Sequence, residues 1–145
     1  MEPLDVALAR SHPLAALPAL TPEQLRDESW IAVHDGFPLA GVLDQLGALA
    51  GRPLRVEHRI NEFFVAAEIV RTGAAIAIMP RVTAAPLLGE ELVLRPIEGI
   101  GLVRHVDVLA RPDAVALRPV RTVLAALRAV AAERAGAPAQ DAADS

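Results

Sequence analysis

The apolar positions of this chain switch between a period of two and a period near 3.6, and the order of the switches predicts alternating strands and helices. Val6-Ala7-Leu8-Ala9 reads as a short strand. Pro13, Pro18 and Pro22 then interrupt regular structure. Thr21 is placed to cap a helical turn that has Pro22 at its first position and Gln24 close by. Ser29–His34 reads as a second strand, closed by Asp35-Gly36. Leu39, Val42, Leu43, Leu46, Leu49 and Ala50 share one helical face, and Gly51-Arg52-Pro53 stops that helix. From Leu54 to Ile60 the pattern alternates, with Leu54, Val56, His58 and Ile60 on one side and Arg55, Glu57 and Arg59 on the other. That is the signature of a half-buried strand near a sheet edge. Asn61 is a good cap for a helix over Glu62–Thr72, with Gly73 as its stop. Ile76–Met79 is too apolar to face water and predicts a buried central strand. Pro80 opens a short helix to about Leu88, and Glu91–Pro96 gives another strand. Val103–Arg111 predicts a longer strand. A helix follows from about Ala116 to Arg134, with a stripe of Val120, Val123, Leu124, Leu127 and Val130. Residues 135–145 are small, polar and acidic, and are expected to form a disordered tail.

This order implies an α/β fold with a mostly parallel sheet flanked by helices. In such sheets ligands sit at the carboxyl ends of the strands, beside helix N-termini. The rim so defined holds His34, Asp35 and Phe37 after one strand, His58, Ile60 and Asn61 after the next, and Met79, Pro80 and Arg81 after the third.

Composition narrows the function classes. A chain of 145 residues with 53% hydrophobic positions can bury one domain core. No apolar run reaches the roughly 18 residues needed to span a bilayer. The N-terminus lacks a basic segment ahead of an apolar one, so no secretory signal is expected and a cytoplasmic protein is the simplest reading. With no cysteine there is no disulfide, thiolate nucleophile or cysteine-based metal site. All 14 basic residues are arginine and Asn61 is the only asparagine, which reads as codon bias in a high-GC bacterial source. The net charge is −4 and the arginines are scattered, whereas nucleic-acid binding needs a clustered basic face. Enzyme signatures are missing too: there is no G-x-S-x-G elbow, phosphate loop, G-x-G-x-x-G or H-E-x-x-H, and neither Ser11 nor Ser29 has an activating base. No catalytic residue, metal ligand or cofactor is expected.

Two segments carry a resemblance. His12-Pro13-Leu14-Ala15 and, well downstream, Val70-Arg71-Thr72-Gly73-Ala74-Ala75-Ile76-Ala77-Ile78-Met79-Pro80 resemble the effector-binding domain of LysR-type transcriptional regulators. That family shows an H-P-L-A segment and later a V-x-x-G-x-G-I-A-x-x-P segment; here Ala75 stands at the second glycine. The resemblance covers about Leu4 to Ala132. It implies a Rossmann-like lobe of a type 2 periplasmic-binding-protein-like fold, with a small-molecule effector held between two lobes and lobe closure passed to a DNA-bound homo-oligomer. It also implies that residues 1–134 are a partial domain, with lobe two over about 12–102 and remnants of lobe one and the hinge at 1–11 and 103–134. The crossover strands would be Val6–Ala9 and Val106–Ala110, and the hinge would fall at Arg10, Ser11, Arg104 and His105. The family's winged helix-turn-helix and first half of lobe one have no counterpart here, so DNA would be reached only through that absent segment. The last helix is then expected to be under-packed. Alternative readings are a solute-binding protein of the related transport class and a fragment without function.

Among the rim residues, Arg81 is the best placed to pair with an effector carboxylate, because arginine grips such groups bidentately. His34 and His58 are candidate hydrogen-bond donors or separate strand-end histidines. Phe37, Phe63 and Phe64 are candidates for an apolar pocket, with at least one of Phe63 and Phe64 in the core. His12 is expected to shape its loop. The helix from Leu39 would join an oligomer interface in the family.

Overall fold

The computed structural model describes residues 1–136, with side chains to Glu133. Most of the tail expected at 135–145 lies outside the described residues. The described chain forms two compact units: Glu2–His105, and Met1 with the segment from Val106 onward.

In the first unit the strands are β1 (Glu2–Ala9), β2 (Ser29–Ala32), β3 (Arg55–Arg59), β4 (Ile76–Pro80), β5 (Leu92–Arg95) and β6 (Val103–Arg104). Its helices are α1 (Pro22–Leu25), α2 (Val42–Leu49), α3 (Phe63–Arg71) and α4 (Arg81–Ala84), with 3-10 turns at Pro13–Ala16 and Ala85–Leu87. The sheet order is β3-β2-β4-β1-β5, and β6 pairs with β1. β2 runs parallel to β3 and β4, while β1 runs against β4, β5 and β6. Every strand but β1 therefore points the same way, and the sheet is mostly parallel as the alternation predicts.

The period-two pattern sorts side chains onto two covered faces. Leu4, Val6 and Leu8 of β1, Trp30 of β2 and Ile76 and Ile78 of β4 face one way, against Leu25 of α1 and Leu46 of α2. Ala7, Ile31, Ala77 and Met79 face the other way, against Ala66, Ala67 and Val70 of α3. β4 is covered on both faces, which is why its run reads as continuously apolar. β3 lies at the edge, with Arg55, Glu57 and Arg59 exposed as its alternation predicts; His58, expected on the apolar side, is exposed too, next to the register shift that skips Glu57. Gly73, at φ +76°, makes the left-handed turn after α3. Ala75 needs no such conformation and is buried beside α3 instead, so the second family glycine is dispensable here.

Several boundaries move. β1 begins at Glu2, not Val6, and is the strand between β4 and β5. Residues 2–9 are thus a strand of this sheet. Arg10 is tied to the same unit, its amide donating to Glu91 O at 2.7 Å and its Nε to Glu90 O at 2.5 Å. Arg10 and Ser11, the expected hinge residues, follow β1 at the end away from β6, inside the Glu2–His105 unit. α2 starts at Val42, because Leu39 has φ +82° and cannot continue a helix. The helix after Pro80 tightens into a 3-10 turn at Ala85–Leu87, where Pro86 has no N–H to give an α-helical bond. The strand expected over Val103–Arg111 is only Val103–Arg104. Val106, Val108 and Leu109 are exposed, with no ladder partner among the described residues, and alternation alone cannot hold a strand.

The second unit contains α5 (Pro112–Val115) and α6 (Arg118–Gly136). Val123, Leu127 and Val130 of the predicted stripe are exposed on α6. Val123 and Leu127 help line an apolar trough of about 290 Å³ together with Val108, Leu109, Val120 and Leu124. No helix among the described residues is long and apolar enough to cross a membrane.

α2 supplies a stability test. Gly47 is buried, and a Cβ there would meet Arg52 O at 2.9 Å. Alanine in a helix interior normally gains about 1 kcal/mol over glycine. Here Gly47→Ala is expected to lose about 1–3 kcal/mol by overpacking against fixed backbone. Urea unfolding of the two proteins checks the sign.

Candidate functional site

The carboxyl ends of β3, β2 and β4 lie side by side, so the residues that follow them share one edge of the sheet. The structure treats the nine rim candidates very differently.

His34, Asp35 and Phe37 are exposed on the loop between β2 and α2. The His34 amide donates to Asn61 Oδ1 at 2.9 Å. Asn61 therefore bridges the end of β2 to the turn before α3 and does not cap that helix; the cap position is Glu62, whose side chain makes no capping bond. This corrects the expected role of Asn61 and shifts the start of α3 to Phe63. The first helical bond runs from the Ala66 amide to Glu62 O at 3.0 Å, so the amides of Phe63, Phe64 and Val65 have no acceptor within the helix. Phe63 packs against the core while Phe64 is 63% exposed beside those amides.

Ile60 is half-buried, and its amide extends the β2–β3 ladder to Ala32 O at 2.8 Å. His58 is not at a strand end: it pairs with Ile31 within β3, and no hydrogen bond joins it to His34 among the described residues. Met79 and Pro80 are fully buried, so they offer core packing and not a ligand surface. Position at a strand end was visible in the sequence, but the cover supplied by α3 and β1 was not.

Arg81 has a protein partner. Its Nε and Nη2 donate to the two carboxylate oxygens of Asp5 at 2.5 and 2.7 Å. Donation to the Asp5 carboxylate holds the Arg81 pKa above its ordinary value. Asp5 is 2% exposed, so this bidentate pair ties α4 to β1. The fork expected to grip an effector carboxylate is occupied by one of the chain's own. Sequence reading missed Asp5; its signal was a charge set directly among the apolar residues of β1.

A second buried carboxylate sits beside this pair. Glu2 accepts from the Thr83 amide at 2.9 Å and from Arg104 Nε at 2.7 Å, and Arg104 Nη2 donates to Thr83 Oγ1 at 2.6 Å. Of the expected hinge residues, Arg104 thus clamps β6 to β1 and α4, and His105 is the exposed last residue of the unit. Burial by itself raises the Glu2 pKa, but the Thr83 amide and the Arg104 guanidinium outweigh it and hold the value below the ordinary one. A depressed carboxylate stabilises the fold above its unfolded pKa, and that contribution fades as pH falls through the lower folded value. Removing it with Glu2→Gln is expected to cost about 1–3 kcal/mol at pH 7. The variant should also lose less stability than the parent on acidification. Urea midpoints across the acid range check both.

At the other end of β1, His12 Nδ1 accepts from the Leu14 amide at 3.2 Å, which leaves Nε2 to donate to Glu28 Oε2 at 3.3 Å. His12 therefore shapes the turn at Pro13–Ala16. A shallow cleft of about 60 Å³ opens between the end of β2 and the start of α2, lined by Ala32, Val33, Leu39, Leu43 and Val56, with Asp35, Asp44 and Arg59 around it. Arg59 lies 3.6 Å from Asp35 and donates to Val33 O at 3.2 Å.

Comparison with known proteins gives this arrangement a lineage. Solved structures share the fold at low identity. The regulatory domain of CcmR from Synechocystis PCC6803, in complex with 2-PG, superposes with a TM-score of 0.68 at 20% identity, covering 89% of this chain and 62% of that one. The effector-binding domain of QuiR in complex with shikimate gives 0.60 at 22%, covering 68% and 46%. The regulatory domain of NMB2055 (MetR), a LysR family regulator from N. meningitidis, gives 0.60 at 23%, covering 70% and 47%. The chain thus spans between 46% and 62% of the length of these structures. No curated protein matches the chain. The family profile described as "LysR substrate binding domain" matches residues 1–132, so the chain belongs to the LysR substrate-binding domain family.

Proposed function

We propose that the Glu2–His105 unit senses a small anionic metabolite, of carboxylate type, for a LysR-type transcriptional regulator, and that it does so by binding without catalysis. The family match over residues 1–132 is the observation that carries this reading. Relatives of the same fold were solved with shikimate and with 2-PG. The start of α3 supports a location for it. The amides of Phe63, Phe64 and Val65 at the start of α3 lack helical acceptors, and the helix dipole favours negative charge there. Asn61 adds its side-chain NH2 group, since its Oδ1 is taken by His34. Phe37 and Phe64, both exposed, flank this edge with apolar surface. Glu62 opposes an anion, so the ligand's charge belongs over the amides and away from that side chain. In the intact regulator, a cytoplasmic homo-oligomer, binding would be passed to DNA through a helix-turn-helix outside this chain. Leu49, 56% exposed on α2, is the first position to examine for the oligomer contact.

Thermal stability tests the reading. A ligand at about 100 times its Kd adds about 2.7 kcal/mol to the native state. The chain is expected to melt higher with at least one member of a panel comprising shikimate, 2-PG, inorganic phosphate and simple dicarboxylates. Asn61→Asp puts a negative charge at the helix start, where it favours the helix but repels an anion. It should fold as well as the parent and lose the response. If no anion raises the melting temperature, or if Asn61→Asp leaves a response intact, this site is wrong.

A further inference from the structure

The loop between β2 and α2 is fastened in an unusual way. Leu39 has φ +82° and is the only non-glycine residue at positive φ among the described residues. Gly36 at +83° and Gly41 at +86° flank it, so three left-handed residues fall within six positions. Glycine adopts that conformation freely, whereas leucine is strained there by its Cβ. Such strain persists only when surrounding contacts enforce it.

The contacts are few. The ends of the loop are pinned, the Val33 carbonyl by Arg59 and the His34 amide by Asn61. Between them, the backbone bonds are all local: the Phe37 amide to His34 O, the Ala40 amide to Phe37 O and the Val42 amide to Leu39 O. Residues 35–40 are joined to the body of the unit by the exposed Asp35–Arg59 pair and by the Leu39 side chain, with the half-buried Ala40 beside it. That side chain packs on the cluster containing Trp30 and Leu46, and forms one wall of the cleft made with Val33, Leu43 and Val56. We infer that residues 35–40 are a lid over this cleft, latched by Leu39: side-chain burial holds the lid shut against the strain of its own backbone, and release of Leu39 opens the recess beneath it.

Hydrogen exchange read peptide by peptide tests this, because side-chain latching and backbone comfort predict opposite signs for one substitution. Leu39→Gly relieves the strain and removes the latch. Under the latch reading the Phe37 and Ala40 amides exchange faster, on the order of tenfold, while amides of β4 and α3 keep their rates. Leu39→Asn, which also tolerates positive φ, should behave the same way. Gly41→Ala keeps the latch and meets no atom within 4 Å, but strains the closed backbone, and should also speed exchange in the loop. If Leu39→Gly and Leu39→Asn leave loop exchange unchanged or slow it, the loop is held by its backbone and the latch is refuted.

Discussion

Replacing Trp30 with alanine is expected to lower stability by about 3–5 kcal/mol, the range for emptying a fully buried aromatic site. Trp30 is 0% exposed and belongs to the cluster formed with Leu4, Val6, Leu25, Leu46 and Ile76. It stands on β2, between the edge strand β3 and the doubly covered β4, pairing with Val56 and Ile76. Its indole Nε1 donates to Leu25 O at 3.2 Å, closing the end of α1 onto the sheet. The loss is large against the 5–15 kcal/mol that holds a typical domain together. Trp30→Phe separates the terms. It keeps most of the volume but leaves the Leu25 carbonyl without this donor, and should cost about 1–3 kcal/mol. Urea unfolding followed by circular dichroism reads both, since this is the chain's only tryptophan and fluorescence is lost with it. A change below about 1 kcal/mol for the alanine variant would mean that the α1–α2 face is not a packed core.

The same site shows what could be read from the chain. Elements whose environment is uniform along their length were legible: β4 because both faces are covered, β3 because one face is, α3 because Gly73 takes the left-handed turn that ends it. The H-P-L-A and G-A-A-I-A-I-M-P segments located the family for the same reason, since each marks a turn or a buried strand. Elements decided by distant partners were not legible. The first half of β1 was hidden because Glu2 and Asp5 are charged, and the arginines that neutralise them lie at positions 104 and 81. Val106–Ala110 alternates like a strand yet has no ladder partner among the described residues. Leu39 fits the helical spacing, but its φ places it on the loop, where hydrophobicity serves as an anchor. At the rim, sequence order gave the positions of Met79, Pro80 and Arg81 but not their accessibility. His34 and Asn61 were both singled out, while the bond between them depended on how β2 and β3 align. That alignment shifts between Trp30 and Ile31, where the parallel register skips Glu57, and no local pattern announces it.

Breaking the Asp5–Arg81 pair from the arginine side should cost about 3 kcal/mol. That is the low end of the range for a buried pair, because the Arg81 side chain is 37% exposed and water screens part of the loss. Arg81→Met leaves the Asp5 carboxylate, 2% exposed, without the two donors that solvate it. The cost is therefore mainly the stranded charge and not the attraction removed. Asp5→Leu with Arg81→Met in the same chain removes charge and partner together, and should recover most of the loss, so the two substitutions are strongly non-additive. A double-mutant cycle in urea measures the coupling. Equal and additive losses would mean that Asp5 is solvated by something other than Arg81. The cycle also bears on sensing, because a guanidinium that holds α4 to β1 is not available to a ligand. If the anion site lies at the start of α3, Arg81→Met must melt earlier yet keep its thermal response to the same anions. Loss of the response in Arg81→Met, with Asn61→Asp unaffected, would move the site from α3 to α4.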